Sequence, residues 1–408
     1  MPLHRITGVL QDHVAHLEEK GTAKGAEKIV TRAIPPSGDR GPRFHLEGQG
    51  DKEFIRMNSN SYLGMSLRPE VMKAEEEGTA RFGAGPGAVR FISGTYDIHV
   101  ELERALAEFH GREEAMIFSS AYATIMGSVT PLITGETVVI SDELNHNCII
   151  NAVRLSRPFK KLVYPHLDME ALEKALEANK GKARRAVVIT DGIFSMRGDH
   201  APMDQIMALA EKHDDGYPEN IVVVMDDSHG VGAFGKTGRG SEEHTNAPPV
   251  DVLVGTLGKA FGVNGGYITT NASVIRFLRE SAPFYIYSNP ITPGEANAAL
   301  ASLRLLDSPQ GQELLAHLRA MTRRFEEGLG RLGMETIPGE HPVVPLMVRD
   351  TARTQALVNH LFQHGVLATG LAYPVVPKGD EEIRFQVNAD HTPGDIDGVL
   401  DVLGSFQG

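Results

Sequence analysis

The chain has 408 residues, with 53 Asp and Glu against 40 Lys and Arg, and a single cysteine, Cys148. That length exceeds one ordinary core, and the acidic balance, with no basic stripe, argues against a nucleic-acid binder. No apolar run reaches membrane-spanning length, no secretory signal opens the chain, and one cysteine allows no internal disulfide, so a cytoplasmic protein with no membrane span is expected.

Residues 1–50 read as an amphipathic helix and a polar arm, Gly/Pro-rich at Pro35–Asp39, able to wrap a partner subunit. Residues 51–300 form the expected large domain. It opens on Asn58-Ser-Asn-Ser-Tyr-Leu-Gly64, a turn-rich stretch of amides and hydroxyls. Val71 to Ala80 is helix-like, so the glycines of Phe82–Thr95 follow no strand and do not make a dinucleotide fingerprint. That stretch is expected to be a flexible loop at the mouth of a site, followed by a helix from about Asp97 to His110.

Ile117–Gly127 runs from a short apolar segment through Ser119 and Ser120 into a helix. The serines serve equally as N-caps or as part of an anion site at the helix N-terminus. Thr137–Ser141 reads as a strand whose end delivers His146, and Cys148 lies in an apolar stretch that suits an inert buried thiol. Ala186–Thr190 is a further buried strand ending in Asp191-Gly-Ile-Phe-Ser-Met-Arg-Gly198. Ile221–Met225 is a continuous apolar run of the parallel-sheet kind and ends in Asp226, Asp227 and His229. Val252–Val254 is the next such run, and after it Lys259 sits among Gly255, Gly258, Gly262, Gly265 and Gly266.

Strands and helices alternate from about 115 to 270 with βαβ spacing throughout, which predicts an α/β fold with a mostly parallel sheet covered on both faces. Ligands in such sheets bind outside the carboxyl ends of the strands. Two neighbouring strands would therefore bring a carboxylate, an imidazole and an amine to one crevice. Pyridoxal phosphate needs that set: a lysine for the Schiff base, a carboxylate for the pyridinium nitrogen and a donor near the ring oxygen. Seventeen histidines raise the question of a metal, but none falls in a metal-ligand spacing. A long helix from about Gln310 to Leu332 leads into a smaller C-terminal α/β domain at 301–408, with strands near Val343–Val348 and Glu382–Val387.

With these residues placed, the chain resembles the α-oxoamine synthases, the fold-type I pyridoxal-phosphate acyltransferases. Val89–Thr95, Ser141–His146, Asp191–Met196, Asp226–Gly230 and Gly255–Ala260 carry the likeness over nearly the whole chain. Tyr373–Gly379, Ile383–Arg384 and His391–Thr392 look most like the 2-amino-3-ketobutyrate CoA ligase (glycine C-acetyltransferase) branch, whereas Gly255–Val263 also resembles the aminolevulinate synthases. The resemblance implies a homodimer with its site at the subunit interface.

Residue by residue, it implies that Lys259 holds the cofactor and then acts as base, that Asp226 pairs with the ring nitrogen, and that His146 stacks on the ring. His229 and Ser195 would bond near the phenolic oxygen. Ala121 and Tyr122 amides, with Thr256 and Ser288 of the other subunit, would hold the phosphate. Arg384 would grip the substrate carboxylate, and Asn60 would help orient it. Three positions depart from the usual pattern: Arg197, Ala121-Tyr122 and Asn388.

The implied reaction joins an amino acid, glycine first, to an acyl-CoA with release of CoA, giving an α-amino ketone or 2-amino-3-oxo acid. The alternative within the family is an 8-amino-7-oxononanoate synthase-like enzyme that takes alanine or serine with a longer acyl donor. A pyridoxal-phosphate aminotransferase is the alternative outside it, and a catalytically silent subunit is disfavoured because Lys259, Asp226, His146 and His229 are all present.

Overall fold

The computed structural model describes residues 3–20, 23, 25–373 and 376–407. Its centre is a seven-stranded sheet in the order Glu114–Phe118, Gly266–Thr270, Val252–Thr256, Ile221–Asp226, Arg185–Asp191, Thr137–Asp142, Lys160–Tyr164. The last five run parallel to one another. Gly266–Thr270 runs antiparallel to both of its neighbours. The βαβ pattern expected throughout therefore fails at one place, where the Gly-rich segment after Lys259 turns the chain straight back instead of crossing over through a helix.

The Val-rich strands are buried on both faces, as a sheet sandwiched between helices requires. Val138, Ile140, Val188, Val223, Met225 and Leu253 pack with Leu172, Leu176 and Ile206 on one side. On the other, Val139, Val187, Ile189, Val224 and Val254 pack with Ile125, Val129, Ile149 and Ile275. The alternation along each strand is the pleat itself, since successive side chains leave opposite faces.

The sequence-expected helices appear as Pro69–Phe82, Asp97–Phe109, Ala121–Leu132 and Pro309–Arg331. The loop expected at the mouth of the site is partly ordered: Arg90–Gly94 makes one π-helical turn, tied down by a buried bidentate pair from Arg90 to Glu103 at 3.0 and 3.1 Å. Glu103 also accepts from Arg279 Nη2 and from the Ile117 amide. One carboxylate thus joins the glycine-rich segment, a helix and an edge strand.

In the C-terminal region, Val343–Met347 and Thr369–Leu371 flank Glu382–Gln386 in an antiparallel sheet. Val366–Leu367 pairs in parallel with Ile55–Arg56, and Asp395 accepts from both Gly41 and Arg43. The segment before the large sheet is therefore bonded to the end of the chain. Of the Tyr373–Gly379 motif, Pro374 and Val375 lie outside the described residues. The His4–Glu19 helix buries none of its residues in this chain. Among the described residues no helix is long and apolar enough to cross a membrane, and no group of three His, Cys, Asp or Glu is placed to hold a metal.

Candidate active site

Asp191 and Asp226 stand side by side in register at the carboxyl ends of two adjacent parallel strands, and the next strand over leads through Thr256 to Lys259. A cavity at these strand ends is lined by Lys259, Asp226, His146, His229, Ser195 and the Ala121-Tyr122 pair, together with Cys148, Asp191 and Ser228. The crevice expected from strand order is thus present, and seven of the eleven expected site residues face it. Asn60, Arg384, Thr256 and Ser288 do not line it.

Lys259 has a pKa lowered to about 8, first by desolvation, with the Asp226 and Asp191 carboxylates pulling the other way. An amine in that range sheds its proton about two to three pH units earlier than an ordinary lysine, which is what a nucleophilic or basic lysine requires. It is delivered by a loop only glycine can make. Gly262 has φ 68°, and a Cβ there would lie 2.4 Å from the Ser66 amide nitrogen.

Asp226 is buried and accepts from the Ser228 amide at 3.1 Å. The Cys148 thiol lies 3.8 Å from its other oxygen, and burial beside Asp226 and Asp191 holds that thiol protonated by raising its pKa. Asp227, the next residue, turns away. Both its oxygens are taken by Ser241, at 2.7 Å to the amide and 2.7 Å to the hydroxyl, so it braces the fold behind the site.

His146 caps the Asn147–Ser156 helix, accepting from the Cys148 amide, while its own amide donates to Asp191 at 3.0 Å. Its ring is exposed to the cavity, and desolvation holds its pKa below the ordinary imidazole value, with Asp226 opposing. A neutral imidazole face at this point suits stacking on a flat aromatic ring. Burial likewise keeps His229 well below the usual histidine range.

Opposite them, Ser120 caps the Ala121–Leu132 helix by accepting from the Ala123 amide. The amides of Ala121 and Tyr122 head that helix, where backbone N–H groups and the dipole favour an anion. Gly266 lets the neighbouring strand approach: a Cβ there would sit 2.6 Å from the Ala121 nitrogen. The N-cap reading holds for Ser120, and the amides of the same turn leave room for the anion-site reading.

Four expected residues need separate comment. Thr256 spends its hydroxyl on the Gly265 carbonyl (3.2 Å) and accepts from the Gly258 amide, so it shapes the lysine loop. Ser288 follows the short Pro283–Ile286 helix, outside its own chain's cavity; the expectation places it in the other subunit's site. Asn60 accepts only a long contact, 3.4 Å, from Tyr62. Arg384 donates Nη1 to the Ser195 carbonyl at 2.9 Å. With its amide oxygen turned to Arg384, Gln386 accepts from Nε and Nη2 at 2.5 and 2.9 Å. One N–H on each terminal nitrogen is left over, the fork that a carboxylate fits.

Sequence reasoning passed over Ser228, whose side chain is buried in the lining with no hydrogen-bond partner for its Oγ. A buried unpaired hydroxyl costs about 1–3 kcal/mol unless something bonds to it. Together with an exposed imidazole face, free helix-start amides and a lysine of lowered pKa, it shows that the residues present fit a flat, anionic, polar aromatic group such as pyridoxal phosphate. The signal was available, because Ser228 lies two residues beyond Asp226 at a strand end.

Comparison with known proteins agrees. Residues 52–403 match the family model described as aminotransferase class I and II. The chain belongs to that family. Within it, this α-oxoamine synthase chain is 37% identical to the 8-amino-7-oxononanoate synthase of Bacillus pumilus over 97% of its own length and 96% of the relative's. It is 41% identical to that of Symbiobacterium thermophilum, over 88% and 89% of the two chains. Among solved structures, it resembles the serine palmitoyltransferase of Sphingomonas wittichii with a TM-score of 0.88 and 26% identity, over 99% and 97% of the chains. A further serine palmitoyltransferase solved with its pyridoxal phosphate matches equally well, with a TM-score of 0.88. These relatives favour the longer-acyl alternative over the glycine reading taken from the tail motifs.

Proposed function

We propose that this α-oxoamine synthase joins alanine to an acyl thioester longer than acetyl, with release of the thiol carrier and of the alanine carboxylate as carbon dioxide, as an 8-amino-7-oxononanoate synthase-type enzyme. The observation that carries the reading is the meeting of Lys259, Asp226, His146 and His229 in one cavity of a chain 37% identical to such an enzyme along 97% of its length. When bound, pyridoxal phosphate supplies an electron sink that makes the α-proton of an amino acid removable.

The protein's own groups do the rest. Lys259, unprotonated at moderately alkaline pH, is the base that takes the α-proton. Asp226 would pair with the ring nitrogen. His146 would cover one face of the ring, and Ser228 Oγ and the Ser195 side chain would bond its polar edge. The Ala121 and Tyr122 amides would hold the phosphate, with Thr256 fixing the loop and Ser288 arriving from a partner subunit. Arg384 presents two N–H groups to the substrate carboxylate, and Asn60 steadies it.

A homodimer belongs to this proposal. Phe91 and Ile92, 65% and 68% exposed, and Tyr287, 80% exposed, stand out as apolar surface of the kind subunits cover. So does a cytoplasmic setting, given one buried, unpaired cysteine. We keep 1–50, 51–300 and 301–408 as the working division of the chain.

The test is a steady-state panel of short and long acyl-CoA and acyl-carrier-protein thioesters against glycine, alanine and serine. The proposal requires alanine with a long acyl donor to release thiol at least tenfold faster than glycine with acetyl-CoA. Preference for glycine and acetyl-CoA would return the reading to the ketobutyrate ligase branch. Keto-acid exchange without thiol release would move it to an aminotransferase.

A further inference from the structure

Tyr62 has no part in the scheme above, yet it is wholly buried and holds φ 30°, a conformation that side-chain-bearing residues rarely adopt and that persists only where surrounding contacts impose it. Here the clamp is visible, because the Tyr62 carbonyl accepts from the Ala389 amide at 2.6 Å. The His341 ring packs edge-on against the phenol at 5.3 Å between centroids. The phenol ends at His229, with its hydroxyl 2.7 Å from Nδ1. The other acceptor within reach, Asn60 Oδ1, is 3.4 Å away.

At 3.4 Å the Asn60 contact lies beyond the usual reach of an O–H donor, about 2.5–3.0 Å, so the one good acceptor for the phenolic proton among the described residues is Nδ1. A neutral imidazole that accepts at Nδ1 carries its own proton on Nε2. Both partners are neutral near pH 7: burial holds the Tyr62 hydroxyl above its ordinary pKa and His229 below its own. The titratable groups facing His229 are Lys259, His341, Arg384 and His146. None replaces Tyr62. His341 accepts from the Val343 amide at Nδ1 and donates Nε2–H to the His229 backbone carbonyl, so it steadies the backbone and leaves the ring's tautomer to the phenol. His229 Nε2 has no hydrogen-bond partner among the described residues, and the ring lines the cavity.

We propose that Tyr62 is a positioning residue whose hydroxyl fixes the tautomer of His229, so that Nε2–H is presented to the cavity as a donor for an electron-rich oxygen of the bound group. The tautomer is inferred from these distances, and its use rests on the cofactor reading above. On this reading the Asn58–Gly64 turn holds the phenol where the imidazole needs it.

The test is long-range proton–nitrogen correlation spectroscopy on the full chain with ¹⁵N-labelled histidine, with pyridoxal phosphate bound and after its removal, and His229→Gln to identify the signal. The expected result is an unprotonated Nδ1 and a protonated Nε2 in both states. Tyr62→Phe keeps the ring packing and should give mixed tautomers, with a modestly lower melting temperature, since a buried ring nitrogen loses its partner, and an affinity for pyridoxal phosphate about fivefold weaker by equilibrium dialysis. A protonated Nδ1 or a doubly protonated ring in the unaltered protein overturns the inference, as does a tautomer indifferent to Tyr62→Phe; the unaltered protein decides the matter even if the variant folds poorly. Failure of the unaltered protein to bind pyridoxal phosphate would overturn the cofactor reading and leave the tautomer standing.

Discussion

At the scale of single residues, the account depends on a lysine made basic by its surroundings. Lys259→Ala removes both the attachment point and the base, so turnover should fall by about a thousandfold or more, measured by thiol release at saturating substrates. Near-normal turnover would remove Lys259 from its role. In the cofactor-free protein, capture of pyridoxal phosphate by Lys259 should also speed up with pH through about 8, where the free amine loses its proton. A capture rate with no inflection between about pH 7 and 9 would contradict that assignment.

Most of the cluster was legible because its members stand at strand ends that the sequence announces. The apolar run Ile221–Met225 ends at Asp226, and the next run leads to Lys259 within a few residues. Less legible were positions whose meaning is set by a neighbour distant in the chain. Asp227 looks like a twin of Asp226, and only Ser241 shows that it faces the other way. Ser228 and Tyr62 read as ordinary polar and turn residues until His229 and the cavity are placed beside them.

At the scale of elements, two charge clusters hold the loops around the site. The Glu103 carboxylate serves Arg90, Arg279 and the Ile117 amide. Glu103→Gln leaves the buried Arg90 guanidinium without its counter-charge and should cost about 3–5 kcal/mol, measured as a lower midpoint in urea; an unchanged midpoint would show that the pair does not brace the fold. This cluster also explains why a glycine-rich stretch expected to be flexible contains an ordered turn, since nothing in the local sequence shows that Arg90 is buried against a helix thirteen residues on.

His166 is the second cluster. It lies between Asp142 (3.0 Å) and Asp199 (3.2 Å) below the loop that carries Ser195. Desolvation opposes its charge, but bonds to the two carboxylates outweigh it and raise its pKa to about 9. A group whose folded pKa lies above its unfolded value of about 6.5 stabilises fully below the unfolded value and ceases to do so as pH passes the folded one. The stability difference between the unaltered protein and His166→Gln should therefore be largest below about pH 6.5 and shrink between there and about 9. Urea titrations at about pH 6 and 9.5 that give equal differences would contradict this.

At the scale of the whole molecule, the continuous Val-rich strands, the flanking helices and the long helix near residue 310 were all readable from periodicity, and the mostly parallel order followed from βαβ spacing. The antiparallel Gly266–Thr270 strand was not readable, because a tight reversal and a crossover begin with the same glycines. Nor was the pairing of Ile55–Arg56 with Val366–Leu367, a contact across most of the chain's length that no local pattern encodes. The exposed apolar residues Phe91, Ile92 and Tyr287 set a further expectation: Phe91→Ser with Ile92→Ser should weaken self-association by about tenfold or more in sedimentation equilibrium. A chain that sediments as a monomer at every concentration would remove Ser288 from the site.

The central claim, that one amine at a strand end holds the cofactor of an acyl-transfer enzyme, is met most directly by reducing the purified, pyridoxal-phosphate-loaded protein with borohydride and mapping its peptides by mass spectrometry. The account predicts a phosphopyridoxyl group on Lys259 and on no other lysine; an unmodified Lys259, or the group fixed elsewhere, would contradict it.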